Sequence, residues 1–96
     1  MTAGPPAWTA RVTIARPDAA SAERIARALA PEASREVPRS RATLSRPSAR
    51  AIRLDVEAND TGALRAAINA YLGWVRLALA AEEVAEASRT HAAPPA

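Results

Sequence analysis

From Trp8 to Arg16 apolar and polar positions alternate, with Ala10, Val12 and Ile14 on one side and Arg11, Thr13 and Ala15 on the other. A period of two with β-branched residues marks a half-buried strand. Pro17 ends it, and the Asp18 carboxylate is placed to accept from the free amides of a following helix. That helix is predicted over about Ala19–Ala30, where Ala22, Ile25, Ala26 and Leu29 share one face and Glu23, Arg24 and Arg27 take the rest. Pro31 is expected to stop it, because proline disfavours helix at the residue before it. Residues 31–41 read as irregular. Arg41–Ser45 reads as a short, weakly marked second strand, and Pro47-Ser48 as a turn. Arg50–Ala58 alternates strictly, with Ile52, Leu54 and Val56 facing one way and Arg53, Asp55 and Glu57 the other. One buried and one wet face suit an antiparallel sheet covered on one side. Asn59-Asp60-Thr61 is a helix-start cluster, and the helix is predicted from about Gly62 to Ala87.

The order is therefore strand, helix, strand, strand, helix. A hairpin makes the second and third strands antiparallel, and a right-handed crossover makes the first and second parallel. Placing strand three between them gives an α+β fold, a split β-α-β-β-α with a three-stranded antiparallel sheet and both helices on one face.

The last helix carries more apolar surface than that sheet needs. At 100° per residue Leu64, Ile68, Tyr71, Val75 and Leu79 form a stripe suited to the sheet. Beside it runs a second seam, Ala67, Ala70, Trp74, Leu77, Ala81 and Val84, whose alternating spacings of 3 and 4 are those of helix-on-helix packing. The first helix is too short to cover all of it, which leaves the half around Leu77, Ala81 and Val84 bare. An exposed apolar patch of this kind marks an interaction surface.

Composition sharpens this. Of 96 residues 27 are Ala, Phe is absent, and the supply of large core side chains is thin. A domain this small is marginal alone and gains from a partner. There is no Cys, so no disulfide, thiol nucleophile or Cys-ligated zinc, and the single His, His91, sits in a Pro- and Ala-rich tail. No glycine-rich phosphate loop is possible with Gly4, Gly62 and Gly73 isolated. Asp55, Glu57 and Asp60 cluster, but two lie on the wet strand face and one at a helix start, which is a solvated face with a cap. No catalytic residue, cofactor or metal is expected. All 13 basic residues are Arg, and the net charge is +3. Arg35, Arg39, Arg41, Arg46, Arg50 and Arg53 stand against a single acid, Glu36, so phosphate contact is favoured there, but no aromatic interleaves them for base stacking. The N-terminus lacks a basic n-region and an apolar h-region, and no apolar run approaches ~18 residues. The chain is expected to be cytoplasmic, with residues 1–7 and 88–96 as disordered tails around one domain at 8–87.

The text Asp60-Thr61-Gly62-Ala63-Leu64-Arg65-Ala66-Ala67-Ile68-Asn69, following a strand that ends Val56-Glu57-Ala58, resembles the small Pcc subunits of the KEOPS complex. Arg16-Pro17-Asp18 and Ala28-Leu29-Ala30-Pro31-Glu32 look like that family's strand-to-helix turn and helix end, and the resemblance covers residues 10–84, departing at 33–50. It implies a non-catalytic scaffold in a complex that installs threonylcarbamoyl on a tRNA adenosine. The catalytic threonylcarbamoyltransferase subunit would dock on the helices, through Leu29, Ala70, Trp74, Leu77, Ala81 and Val84, and two copies would form a homodimer. Arg65 and Asn69 match the family motif with their role open, the structural reading being that Arg65 pairs with Glu57 or Asp60. Arg35, Arg39, Arg41 and Arg46 would give a weak tRNA phosphate contact. The alternatives are a stand-alone KH-like RNA-binding module and a regulatory or antitoxin-like partner peptide.

Overall fold

Caps and stops set where each element begins. The computed structural model describes residues 8–35 and 37–91, with residues 89–91 as backbone. The elements are β1 Trp8–Ala15, α1 Ala19–Ala33, β2 Ser40–Ser48, β3 Ala51–Ala58 and α2 Thr61–His91. Their order and α+β class are those expected. The sheet runs β1-β3-β2, with β3 antiparallel to both neighbours, and Val12 and Leu44 flank Leu54 from either side. Both helices pack on the face that carries Ile14, Ile52, Leu54 and Val56.

The Asp18 carboxylate accepts from the Ser21 amide at 2.7 Å, the cap the sequence calls for. Asp60 does the same for α2, accepting from the Ala63 amide at 2.8 Å. A Cβ on Gly62 would come within 3.3 Å of that carboxylate, so glycine suits the turn.

Three boundaries differ from expectation. Helix α1 continues through Pro31 to Ala33. A proline forfeits one backbone bond, here to the carbonyl of Arg27, and both residues lie on the exposed side, where water replaces it. The end is then closed by Ser34, whose amide donates to the Ala30 carbonyl at 3.3 Å and whose hydroxyl donates to that of Pro31 at 2.8 Å. Strand β2 runs to Ser48, through Pro47, and the turn is at Ala49-Arg50 rather than Pro47-Ser48. Pro47 is tolerated because β2 is an edge strand whose register is irregular between Ser45 and Ser48. Helix α2 extends to His91, so residues 88–91, expected in a tail, are helical; residues 1–7 and 92–96 lie outside the described residues.

The rotation of α2 is the larger correction. Of the expected stripe only Tyr71 and Val75 are buried; Leu64, Ile68 and Leu79 are half-buried, while Ala63 and Ala67 are buried. At 100° per residue the buried face is turned by roughly 50° toward the small side chains. Alanines let the helix axis approach the sheet closely, and the larger aliphatics flank the contact. Helix α1 lies antiparallel to α2. Its start is tied to Glu82, which Arg24 grips through Nε at 3.0 and 3.1 Å and Nη2 at 2.5 Å. Its end lies against Tyr71 and Trp74. It therefore runs beside the half of α2 that was expected to be bare, and meets it through Trp74, Ala78 and Glu82.

Glu82 is only 7% exposed. The bond to it holds the Arg24 guanidinium above its ordinary range, so the arginine keeps its charge. Burial pushes the Tyr71 phenol up, and its hydroxyl donates to the Arg35 carbonyl at 3.3 Å.

Two tests follow from this packing. Ala67→Leu should destabilise the fold by about 1–3 kcal/mol through overpacking, whereas Ala66→Leu, on the exposed side, should stay within about 0.5 kcal/mol; equal melting temperatures for the two would refute the rotation of α2. Tyr71 is the chain's one tyrosine, so absorbance at alkaline pH reads it directly. Its midpoint should lie above the free-tyrosine value of about 10. Because the folded-state value is raised, Tyr71 contributes stability below pH ~10 that is lost as pH rises through its folded midpoint. An unshifted midpoint would contradict the burial.

Candidate functional site

Leu77 is 69% exposed and Val84 67% exposed, the two most exposed large aliphatics on α2. They stand seven residues apart, so they share an azimuth within about 20° and lie roughly 10 Å apart along the axis. Ala81, between them, is also exposed, and Ala70 is half-buried two turns before Leu77. A Cβ built on Gly73 would meet nothing within 4 Å, so the helix backbone is open on that side. The result is a solvent-facing apolar seam with small residues that permit close approach of another helix.

The rest of the expected partner set divides. Ala67 belongs to the core, and Leu29 is 5% exposed, packed with Ile25, Ile52 and Val75, so it is core rather than partner surface. Its position on the inner face of α1 puts it under the helices instead of between them and solvent. Trp74 is half-buried and packs against both core clusters. Its ring meets Tyr71 edge-on at 5.1 Å between centroids, and the Arg35 guanidinium lies 5.9 Å from its centroid. The cleft beneath it, lined by Leu29, Glu32, Ala33, Leu54 and Tyr71, holds about 10 Å³, too little for a side chain. Trp74 borders the seam and is largely spent on the fold.

The arginines divide likewise. Arg35 is held by Trp74 and by Glu32, 2.9 Å from its Nε. Arg39 sits at φ 63°, in the left-handed region, and is ion-paired with Asp60. The Asn59 amide donates to its carbonyl at 3.0 Å, which fastens the loop before β2 to the start of α2. Arg41 is exposed on β2 and makes no ion pair among the described residues, and Arg46 donates to the Ala49 carbonyl at 2.8 Å. Of the four proposed phosphate contacts, two are thus engaged by carboxylates. Arg65 and Asn69 are exposed on the polar arc of α2, with Asn69 about 60–80° round the helix from the seam. Arg65 pairs with neither Glu57 nor Asp60; Asp60 is taken by Ala63 and Arg39 instead.

Sequence reasoning passed over the Arg24–Glu82 pair. A signal was present: Glu82 follows Val75 by seven residues and so falls on the same buried face. Nothing in local sequence pointed to the Arg35–Trp74 stack, which joins residues far apart in the chain.

No helix among the described residues is long and apolar enough to cross a membrane. No curated protein matches the chain. The family model described as transcription factor Pcc1 matches residues 9–82, which run from the second residue of β1 through α1, β2 and β3 to most of α2, Leu77 and Ala81 included. With that extent of match, and with the β-α-β-β-α fold around it, the chain belongs to the Pcc1 family, a family of KEOPS subunits.

Proposed function

We propose that this chain is a non-catalytic scaffold and dimerisation subunit of a complex that installs threonylcarbamoyl on tRNA adenosine, and that it binds the catalytic subunit through its helices. The observation that carries the reading is the exposed seam Leu77, Ala81 and Val84 in a chain so short of large apolar residues. A small domain that leaves a Leu and a Val in water on one helix face gains by covering them. The partner presents helices of its own, because the 3- and 4-residue spacing along the seam is that of helix pairing. The chain's role is to hold and orient, and the chemistry belongs to the partner.

Homodimerisation is proposed through a sheet edge. Both β1 and β2 are edges of the β1-β3-β2 sheet. Pro47 and the irregular register blunt β2, whereas Trp8–Ala15 contains neither Pro nor an inward charge, so β1 is the edge that best accepts a second copy. Main-chain pairing supplies affinity without demanding large side chains, which suits an alanine-rich sequence. A weak tRNA phosphate contact is kept for Arg41 and Arg46; Arg35 and Arg39 are withdrawn from it, since Glu32 and Asp60 neutralise them.

Leu77→Asp should weaken binding to the catalytic subunit by roughly 30-fold or more, as loss of a central anchor does, with the melting temperature unchanged because Leu77 is outside the core. Unchanged affinity would remove the scaffold reading. Light scattering after size exclusion should give twice the 10.1 kDa chain mass. A monomer at tens of micromolar would remove the dimer, as would a dimer that survives Thr13→Pro, which deletes a β1 amide that faces away from β3.

A further inference from the structure

The outer face of the sheet, opposite the helices, is a grid of cross-strand neighbours. Arg41 lies opposite Glu57, and Arg11 opposite Asp55, to whose carboxylate its Nε donates at 2.7 Å. Arg53 differs: it lies between Thr13 and Ser45, and so faces a hydroxyl on each side instead of a carboxylate. Directly opposed residues place their Cβ atoms about 5 Å apart, within reach of one small ligand. The Arg53 Nε is closed off from solvent and has no hydrogen-bond acceptor among the described residues. A buried N–H without an acceptor is rare, and a charged one more so, which points to an acceptor that comes from outside the chain.

The surrounding charge has one sign. Residues 45–54, the β2–β3 hairpin and its flanks, contain Arg46, Arg50 and Arg53 and no acid. Arg46 and Arg50 donate only to main-chain carbonyls, of Ala49 and Pro17, which leaves their charge uncompensated. The nearest carboxylate, Asp55, is held by Arg11. The open groove of about 580 Å³ farther along the face is lined by Asp55 and Glu57 and repels an anion, so the anion belongs at the hairpin end.

We propose that Arg53, Thr13 and Ser45 form a binding site for a phosphate group. A guanidinium offers two parallel N–H donors along its Nε edge, which match two oxygens of a phosphate. The remaining oxygens of the tetrahedral group can accept from a hydroxyl on each side, which a planar carboxylate does less well. The side chain reaches this arrangement by turning its Nε edge outward, and the irregular register beginning at Ser45 gives β2 the slack to accommodate it. The site lies on the face away from the α2 seam, so it stands or falls independently of the scaffold reading.

The test is to follow the Arg53 Nε–H resonance of the ¹⁵N-labelled chain during titration with inorganic phosphate and, separately, with a short RNA duplex, each at low and at physiological salt. The resonance should move saturably with at least one of them, and more weakly at high salt. A shift with phosphate alone identifies a small phosphate compound as the ligand; a shift only with the duplex identifies a phosphodiester backbone. Thr13→Ala with Ser45→Ala should weaken binding by roughly tenfold, Arg53→Gln should abolish it, and Arg76→Gln on α2 should leave it unchanged. If Arg53→Gln does not fold, the double hydroxyl variant decides. A resonance unmoved by either probe means that no phosphate reaches the Nε, and the proposal fails. It fails equally if the double variant binds like the parent, or if Arg76→Gln loses as much.

Discussion

Ile52, Leu54, Val56 and Ala58, the inner face of β3, are each at most 2% exposed. Because β3 is central, this face meets both edge strands laterally and both helices from above: Ile52 packs with Ala22, Ile25, Leu29 and Val75, and Leu54 and Val56 with Ala67 and Tyr71. The alternation that buries these residues necessarily sends Arg53, Asp55 and Glu57 to the other side, since successive strand side chains point to opposite faces. One strand thus fixes the helix layer and the polar outer grid together. A one-residue slip of its register would exchange the two faces.

The second constraint is the scarcity of bulk. Four of the twelve buried apolar residues are alanine, and alanines 63 and 67 let α2 lie close to the sheet. Close approach recovers packing density from small side chains, and it dictates the rotation of α2. With Ala67, Tyr71 and Val75 turned inward, Leu77 and Val84 are turned out. Helix α2 carries apolar side chains over more of its circumference than the sheet and one short helix can cover, which leaves the seam exposed, and the grip of Arg24 on Glu82 holds α1 beside it. An α2 rotated to bury Leu64, Ile68 and Leu79 would have turned Leu77 and Val84 still farther from the sheet, so either phase leaves the seam outside.

The strands and their order were legible because alternation in β1 and β3 is unambiguous and a hairpin with one crossover leaves few topologies. The extent of β2 was not, because its residues are polar or half-buried and Pro47 reads as a turn unless the strand is known to be an edge. The end of α1 was misread at Pro31 for a related reason: the cost of a helical proline depends on whether the orphaned carbonyl meets water, which is a tertiary fact. The phase of α2 was misjudged because alanine carries little hydrophobic signal yet governs the closest approach. Leu29 was assigned to a partner when a leucine on the apolar face of a short helix belongs to the core. Arg35 and Arg39 counted as free charge in the sequence; only the fold brings Trp74 and Asp60 to them, while Glu32 lies three residues before Arg35 and meets it locally. Leu77, Ala81 and Val84 were legible as surplus, since no plausible sheet of three short strands could cover both sides of so long a helix.

The central claim is that the Leu77–Val84 seam is covered by another protein's helices in the assembled complex. The chain contains no cysteine, so single substitutions Leu77→Cys and Val84→Cys each introduce one thiol whose alkylation rate reports access to that point. With Ala49→Cys in the exposed β2–β3 turn as reference, both seam thiols should label freely in the isolated chain and at least tenfold more slowly in the complex with the catalytic subunit, while the reference is unchanged. Equal labelling of all three positions in the free and assembled states would contradict the account.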